Sequence, residues 1–249
     1  MVSEPAYKGI FMSLYKALSD FYDDVFAVSS TELDFVARLL PQNASLLDIG
    51  CGTGNKTVLF APYTKNIVGI DPDANMIAKA HATHRGAHVE YRQGGMEDLK
   101  EMFAKESFSA ITCLGNTLVH LSNEQSIQNV IKESYALLCE GGVFVAQILN
   151  YDYIMDKGIT SLPVFEDEQV RFERTYDLDC IPIGFNTVIL DKKQNRRVEN
   201  STPLIPLRRK TLEDFLYTAG FTDIQFYGSY GGDPLTDTSL PLIVSCRKK

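Results

Sequence analysis

The stretch Ser45-Leu46-Leu47-Asp48-Ile49-Gly50-Cys51-Gly52-Thr53-Gly54 decides the fold. An apolar run that closes at Asp48 reads as a strand. Gly50, Gly52 and Gly54, at alternate positions after it, let the backbone turn sharply and let a ligand approach main-chain atoms without a Cβ in the way. A helix should start near Asn55. A second apolar run, Asn66-Ile67-Val68-Gly69-Ile70-Asp71, ends on an acidic residue. A dinucleotide fold calls for G-x-G-x-x-G, in which the third glycine allows close helix packing beneath a pyrophosphate. Here the spacing is G-x-G-x-G, and Asn55 stands where that glycine belongs. A nucleoside ligand without phosphates, held by backbone groups and carboxylates, fits this loop better than a dinucleotide does. Asp71 is placed to take both ribose hydroxyls, the role of an acidic residue about 20 positions after such a loop.

The segments D-I-G-C-G-T-G and G-I-D-P-D-A-N-M together resemble motifs I and II of the class I S-adenosylmethionine-dependent methyltransferases. The resemblance implies that Gly50, Cys51 (through its backbone), Gly52 and Gly54 wrap the methionine part of S-adenosylmethionine. It implies that Asp48 orients the loop and that Asp71 binds the ribose, with Pro72 and Met76 of the second motif and Leu114 also on the cofactor. Tyr22, followed by Asp23 and Asp24, resembles a tyrosine that closes over the cofactor in this family; packing in the core accounts for it equally well. After the third strand, Gly94-Gly95-Met96-Glu97-Asp98 stands where many members carry Gly-Asp for the adenine amine. Gly95 replaces that Asp, so Met96 is the candidate to pack on adenine and Glu97 to receive its amine. A helix N-terminus explains the two acids as well.

The chain has 249 residues, 45% of them hydrophobic, enough for one substantial core. No run approaches the roughly 18 apolar residues of a membrane span, and no basic segment followed by an apolar one opens the chain, so a cytoplasmic protein is expected. Cys51, Cys113, Cys139, Cys180 and Cys246 lack C-x-x-C spacing, which argues against a disulfide framework or a structural metal. A formal net charge of -8 makes nucleic acid a poor partner, and Arg208-Arg209-Lys210 reads as a solvated approach to a helix. A small-molecule substrate is expected, and the oligomeric state is open.

Strand-like runs at 45–48, 66–70, 87–92, 107–113 and 142–149 alternate with helical stretches at 73–83 and 124–138, and Gly141-Gly142 reads as a helix stop. Apolar spacing from Phe11 to Tyr22 predicts helices over 6–40, ending at Pro41. Segments 170–172, 175–178 and 187–190, with a turn at 192–195, read as antiparallel strands. A helix at 211–219 and strands at 222–229 and 240–247 follow. The expected fold is a single α/β domain with a Rossmann-like, doubly wound, mostly parallel seven-stranded sheet. Residues 1–43 form a helical cap, 44–150 and 207–249 the core, and 151–206 an inserted antiparallel β lid over the substrate.

Cys113-Leu114-Gly115-Asn116-Thr117-Leu118-Val119-His120-Leu121 and Asn150-Tyr151-Asp152-Tyr153-Ile154 resemble glycine and sarcosine N-methyltransferases and their small-molecule relatives. In the glycine enzymes an arginine before Asn-Tyr-Asp pairs with the substrate carboxylate; here Leu149 takes its place, which demotes glycine as substrate. The candidate substrate contacts are Asn116, Asn150, Tyr153 and Arg174, with Arg171 an alternative to Arg174. Methyl transfer from a sulfonium is an in-line displacement that needs positioning and exclusion of water, and no metal. For an amine acceptor, His120 and Tyr176 are the candidates to help remove a proton, although a lone His here reads more readily as structural. The resemblance therefore implies small-molecule N-methylation with O-methylation open. Noncatalytic S-adenosylmethionine binding and, less well, a nicotinamide-dependent oxidoreductase are the rival readings.

Overall fold

The computed structural model describes residues 21–249. The expected helical spacing at Phe11, Leu14, Tyr15 and Leu18 lies outside the described residues. The described chain opens with a single turn, α1 (Tyr22–Val25), and an amphipathic helix, α2 (Ser30–Leu39), whose Ser29 side chain accepts from Glu32 N–H as an N-cap.

The main sheet follows in strand-helix alternation: β1 (Ala44–Ile49), β2 (Thr64–Asp71), α3 (Ala74–Thr83), β3 (Val89–Gln93), α4 (Leu99–Met102), β4 (Phe108–Cys113), α5 (Glu124–Leu137) and β5 (Leu138–Leu149). A short helix, α6 (Tyr151–Lys157), leads to a separate antiparallel sheet of β6 (Phe165–Glu166), β7 (Val170–Asp177), β8 (Ile183–Asp191) and β9 (Arg196–Leu204). The chain returns through α7 (Arg209–Ala219) to β10 (Thr222–Tyr227) and β11 (Pro241–Arg247). The seven strands run in the order β10-β11-β5-β4-β1-β2-β3, and β11 is antiparallel to both its neighbours. Order reverses between β1 and β4, so the carboxyl ends of these two strands open the crevice in which ligands of such sheets bind.

The central strands are apolar throughout because both faces are covered. Leu47, Ile49, Ile111, Phe144 and Ile148 join the cluster packed with α5 and α7, whereas Leu46, Ala110, Val143 and Val145 face Phe35 and Val36 of α2. The small sheet shares the first cluster: Tyr176, Ile183 and Leu204 belong to it, and Ile205 N–H donates to the Val119 carbonyl at 2.9 Å.

Two expected elements differ in form. Instead of an α-helix from Asn55, the chain forms a 3-10 helix, Thr57–Tyr63, containing Pro62, which has no N–H to give to an α-helical ladder. The stop after α5 comes at Leu138, already extended, and Gly141-Gly142 lie inside β5 where the pairing with β4 skips from Phe108 opposite Leu138 to Ala110 opposite Val143. Gly141, at φ 72°, makes that bulge possible. The strand expected in pieces over 170–178 is one continuous strand, β7.

All five cysteines are unpaired; Cys51, Cys113 and Cys246 are buried, Cys139 is half-buried and Cys180 exposed. The basic run 208–210 is met within the chain. Arg208 pairs with Asp152 and Asp156, Arg209 with Glu213, and Lys210 with Asp214. Among the described residues no helix is long and apolar enough to cross a membrane. Leu47→Ala, in the middle of β1 and fully buried, should cost about 2–5 kcal/mol in urea denaturation with an unchanged slope.

Candidate active site

The glycine loop is a tight crossover between the ends of β1 and β2. Gly50, Gly52 and Gly54 are all left-handed, at φ 74°, 56° and 79°. Gly50 and Cys51 N–H both donate to the Ile70 carbonyl, at 2.8 and 2.9 Å. A Cβ on Gly50 would lie 2.4 Å from Thr117 Cγ2, and one on Gly52 would lie 2.9 Å from the Tyr22 hydroxyl. Glycine is therefore required by both dihedral and space.

Two buried carboxylates hold the loop in shape. Asp48 accepts from Thr57 Oγ1 at 2.6 Å and Thr112 Oγ1 at 2.8 Å, so it fastens β1 to the 3-10 helix and to β4; burial raises its pKa against the effect of these bonds. Asp71 accepts from Gly52 N–H at 3.0 Å with one oxygen and from Asp73 N–H at 2.9 Å with the other. Desolvation lifts its pKa to about 6. An ionised carboxylate has about four lone-pair sites, so Asp71 retains capacity for two further donors such as a ribose diol.

The segment before α2 seals the loop. Thr53 Oγ1 donates to Asp23, His84 lies 3.6 Å from the same carboxylate and 2.7 Å from the Thr53 carbonyl, and Asn55 Nδ2 donates to the Phe26 carbonyl at 3.1 Å. The side chain at the position of the missing third glycine is thus a tether. Tyr22, whose ring packs with Phe26 at 4.8 Å, lies over Gly52. Asp23, Thr53, His84, Thr57 and Thr112 carry no spacing signal in the sequence, because their contacts exist only after the chain has folded.

Beside the loop, Gly94 N–H donates to the Asp71 carbonyl at 3.1 Å and brings the Met96–Asp98 turn next to β2. Asp98 accepts from Gly95 N–H at 2.8 Å as the cap of that turn, Glu97 is exposed, and Met96 is half-buried. Leu114, 6% exposed, closes the end of β4. Pro72 is exposed and its carbonyl accepts from Gln93, while Met76 is fully packed on the inner side of α3, so its side chain adds to the core and not to an open surface.

At the ends of β4 and β5, Gly115 and Asn116 are successive left-handed residues, at φ 73° and 66°. The turn delivers the Asn116 amide to the buried Tyr151: Nδ2 donates to the hydroxyl at 3.0 Å and Oδ1 accepts from Leu149 N–H at 2.9 Å. Asn150, expected at the substrate, is committed elsewhere. It caps α6 by accepting from Tyr153 N–H, and its Nδ2 donates to the Thr236 and Ser239 carbonyls at 3.3 and 2.9 Å. Tyr153 is half-buried on α6. His120 ends a 3-10 turn after β4, and loss of hydration lowers its pKa to about 4. Tyr176 is buried on β7, with its pKa raised well above the usual phenol range by the same cause. At neutral pH burial keeps the imidazole unprotonated and the phenol protonated. Arg174 lies two residues before Tyr176 on the same face of β7.

Residues 46–142, from β1 into β5 and including the whole glycine loop, match the family described as a methyltransferase domain. That match, the names of the curated relatives and the fold together support an S-adenosylmethionine-dependent methyltransferase. Among curated proteins it is similar to the glycine/sarcosine N-methyltransferase of Aphanothece halophytica, 27% identical over 215 residues that cover 82% of this chain and 77% of the relative. It is also similar to the ubiquinone biosynthesis O-methyltransferase of Xanthomonas axonopodis pv. citri (strain 306), 34% identical over 127 residues, 50% of this chain and 51% of that protein. The solved structure of an S-adenosylmethionine-dependent methyltransferase from Clostridium acetobutylicum ATCC 824 has the same fold, with a TM-score of 0.75 at 18% identity over 94% of this chain and 98% of the other.

Gly54→Ala tests the loop directly. Its Cβ would fall 2.5 Å from the Tyr91 hydroxyl at a dihedral that disfavours any side chain. The expected loss is about 2–4 kcal/mol of stability, read from the denaturation midpoint, and an unmoved midpoint would contradict the loop geometry.

Proposed function

We propose that the protein transfers the methyl group of S-adenosylmethionine to the nitrogen of a small-molecule amine. The observation that carries this reading is the state of the two candidate bases. A hydroxyl acceptor must give up a proton to become a nucleophile, and burial leaves His120 a weak base near pKa 4 and Tyr176 protonated, so both are poorly matched to that service. A neutral amine already carries its lone pair and needs only to be held in line with the methyl carbon and sulfur. The similarity to a glycine/sarcosine N-methyltransferase over most of the chain supports nitrogen as the acceptor atom.

In this reading the left-handed loop of Gly50, Gly52 and Gly54 holds the methionine part of the donor, Asp71 takes the ribose hydroxyls, and Met96 and Leu114 border the adenine. Tyr22 covers the donor, and Asn116, braced by Tyr151, holds the acceptor at the ends of β4 and β5. The Asn116 amide has one N–H beyond the one given to Tyr151, which suits a polar group on the acceptor.

Transfer of a labelled methyl group to panels of amines and phenols tests the acceptor class. The expected result is transfer to an amine, with kcat/KM rising about tenfold per pH unit up to the acceptor's own ammonium pKa, and the same profile in His120→Gln. Transfer confined to phenols, or a profile that disappears with His120, would refute the proposal.

A second measurement addresses the donor. The Asp71 carboxyl is ionised above about pH 6, and only the carboxylate accepts from two hydroxyls. Ligand binding favours ionisation, so the affinity for S-adenosylhomocysteine should be flat above pH 7 and weaken towards tenfold per unit below 6. Asp71→Asn should bind at least about tenfold more weakly and lose that dependence, both readable by calorimetry.

A further inference from the structure

Gln147 is the only polar residue in the stretch 143–149 of β5, Val-Phe-Val-Ala-Gln-Ile-Leu. It is 9% exposed, so its amide must find partners inside the protein. Nε2 donates to the Ile148 carbonyl at 2.9 Å, and Oε1 accepts from Gly115 N–H at 2.9 Å. The main-chain carbonyl of Gln147 accepts from Asn116 N–H at 3.0 Å. Pairing of β4 with β5 ends at Cys113 opposite Ala146, so the next residue of β5 gives its carbonyl and its side chain to a turn in place of a strand. One residue thereby takes the N–H groups of both left-handed residues, Gly115 and Asn116. Such a turn is strained and persists only where its surroundings over-determine it.

The turn faces two ways. Asn116 gives its amide to Tyr151 and Leu149, whereas Thr117, the next residue, lies so close to Gly50 that a Cβ there would meet Thr117 Cγ2 at 2.4 Å. Thr117 Oγ1 donates to the Leu114 carbonyl at 2.7 Å and closes the turn on itself. A compact body of four residues, 114–117, therefore spaces the glycine loop from the Asn116 amide. The bonds of the Asn116 side chain orient that side chain, and the Gly115 backbone behind it is held by Gln147. An in-line displacement is sensitive to such spacing, since a misplacement of about 1 Å can cost on the order of a hundredfold in rate.

We propose that Gln147 is a positioning residue that sets the distance between the methyl group of the donor and Asn116, acting through the turn and touching neither substrate. This rests on the placement of Asn116 beside the methyl group in the reading above. Sinefungin, an analogue of S-adenosylmethionine in which a carbon bearing an amine replaces the sulfur and its methyl group, reports on that distance without an acceptor. Its affinity relative to that of S-adenosylhomocysteine, which has nothing at the methyl position, would be measured calorimetrically in the native protein, Q147M, Q147E, N116G and the double variant Q147M/N116G.

Q147M keeps the length of the side chain and removes its amide. It should lower the ratio of sinefungin to S-adenosylhomocysteine affinity about five- to twentyfold, with S-adenosylhomocysteine itself within about twofold of native, which also shows that the variant is folded. N116G, which suits a left-handed backbone, should lower the ratio at least as much, and Q147M should add nothing in that background, as expected of a residue acting through another. Q147E retains an oxygen for Gly115 N–H and, at about pH 5.5, should keep the ratio within about threefold of native at the same pH, because burial favours the protonated acid, whose O–H replaces the bond to Ile148. A ratio unchanged in Q147M but lowered in N116G overturns the proposal. So does a loss in Q147M that adds in full to that of N116G, an equal loss of both ligands in Q147M, or a loss in Q147E as large as in Q147M. An unchanged ratio in N116G removes Asn116 from the methyl position, and the proposal then falls together with the reading it rests on.

Discussion

The Asp71 carboxylate grips two backbone N–H groups at once, and the geometry of the site depends on that grip. It draws Gly52 of the loop and Asp73 at the start of α3 to the end of β2, so two elements that follow different strands share one acceptor. The three left-handed glycines bring backbone N–H groups to the inside of a turn, where each needs an oxygen. The Ile70 carbonyl and Asp71 supply those of Gly50 and Gly52 from the neighbouring strand, and the Cys51 carbonyl supplies that of Gly54 from within the loop. Asp48 fastens the end of β1 in turn, and its negative charge adds to burial in raising the pKa of Asp71. Two acids kept out of water under one loop make a locally negative site, a setting that favours a ligand carrying a sulfonium.

Enclosure comes from parts that have no stability of their own. A one-turn helix such as α1 does not persist in isolation. It is held by Thr53 on Asp23, by His84 and by the reach of Asn55 to Phe26, all of which lie on or next to the loop. The aromatic chain of Tyr22, Phe26 and Phe172 then ties that turn to the small sheet. Loop, cover and small sheet form one connected wall, which in the proposed reaction would keep water from a transition state that disperses charge.

The architecture was legible because it rests on local rules. Apolar runs ending in Asp48 and Asp71, glycines at alternate positions, and a helix pattern before β5 are features of neighbouring residues, and the seven-stranded sheet follows from their alternation. The misreadings also have local causes: Pro62 converts the helix after the loop to 3-10 geometry, and a bulge absorbs the Gly141-Gly142 pair that a linear reading takes for a stop. What stayed hidden is tertiary. Asn150 in the sequence is indistinguishable from a ligand-binding amide, and only the turn at 236–239, brought close by β11, uses up its polar atoms. The low pKa of His120 likewise comes from packing that no motif encodes.

The division between donor and acceptor sides follows from the same distinction. The donor side is built from strand ends and a loop whose dihedrals tolerate no side chain, so its form is written in glycines and acids at set spacing. On the acceptor side, Asn116 is fastened to β5 and Tyr151, while the remaining polar groups sit on a strand of a different sheet. Gly115 and Asn116 hold a strained double left-handed turn that persists because three bonds, from Asn116 N–H to Gln147, from Leu149 to Oδ1 and from Nδ2 to Tyr151, over-determine it. In the proposed site one wall therefore belongs to the core, whereas β7 lies in a separate sheet, where a side chain can change without disturbing the donor loop.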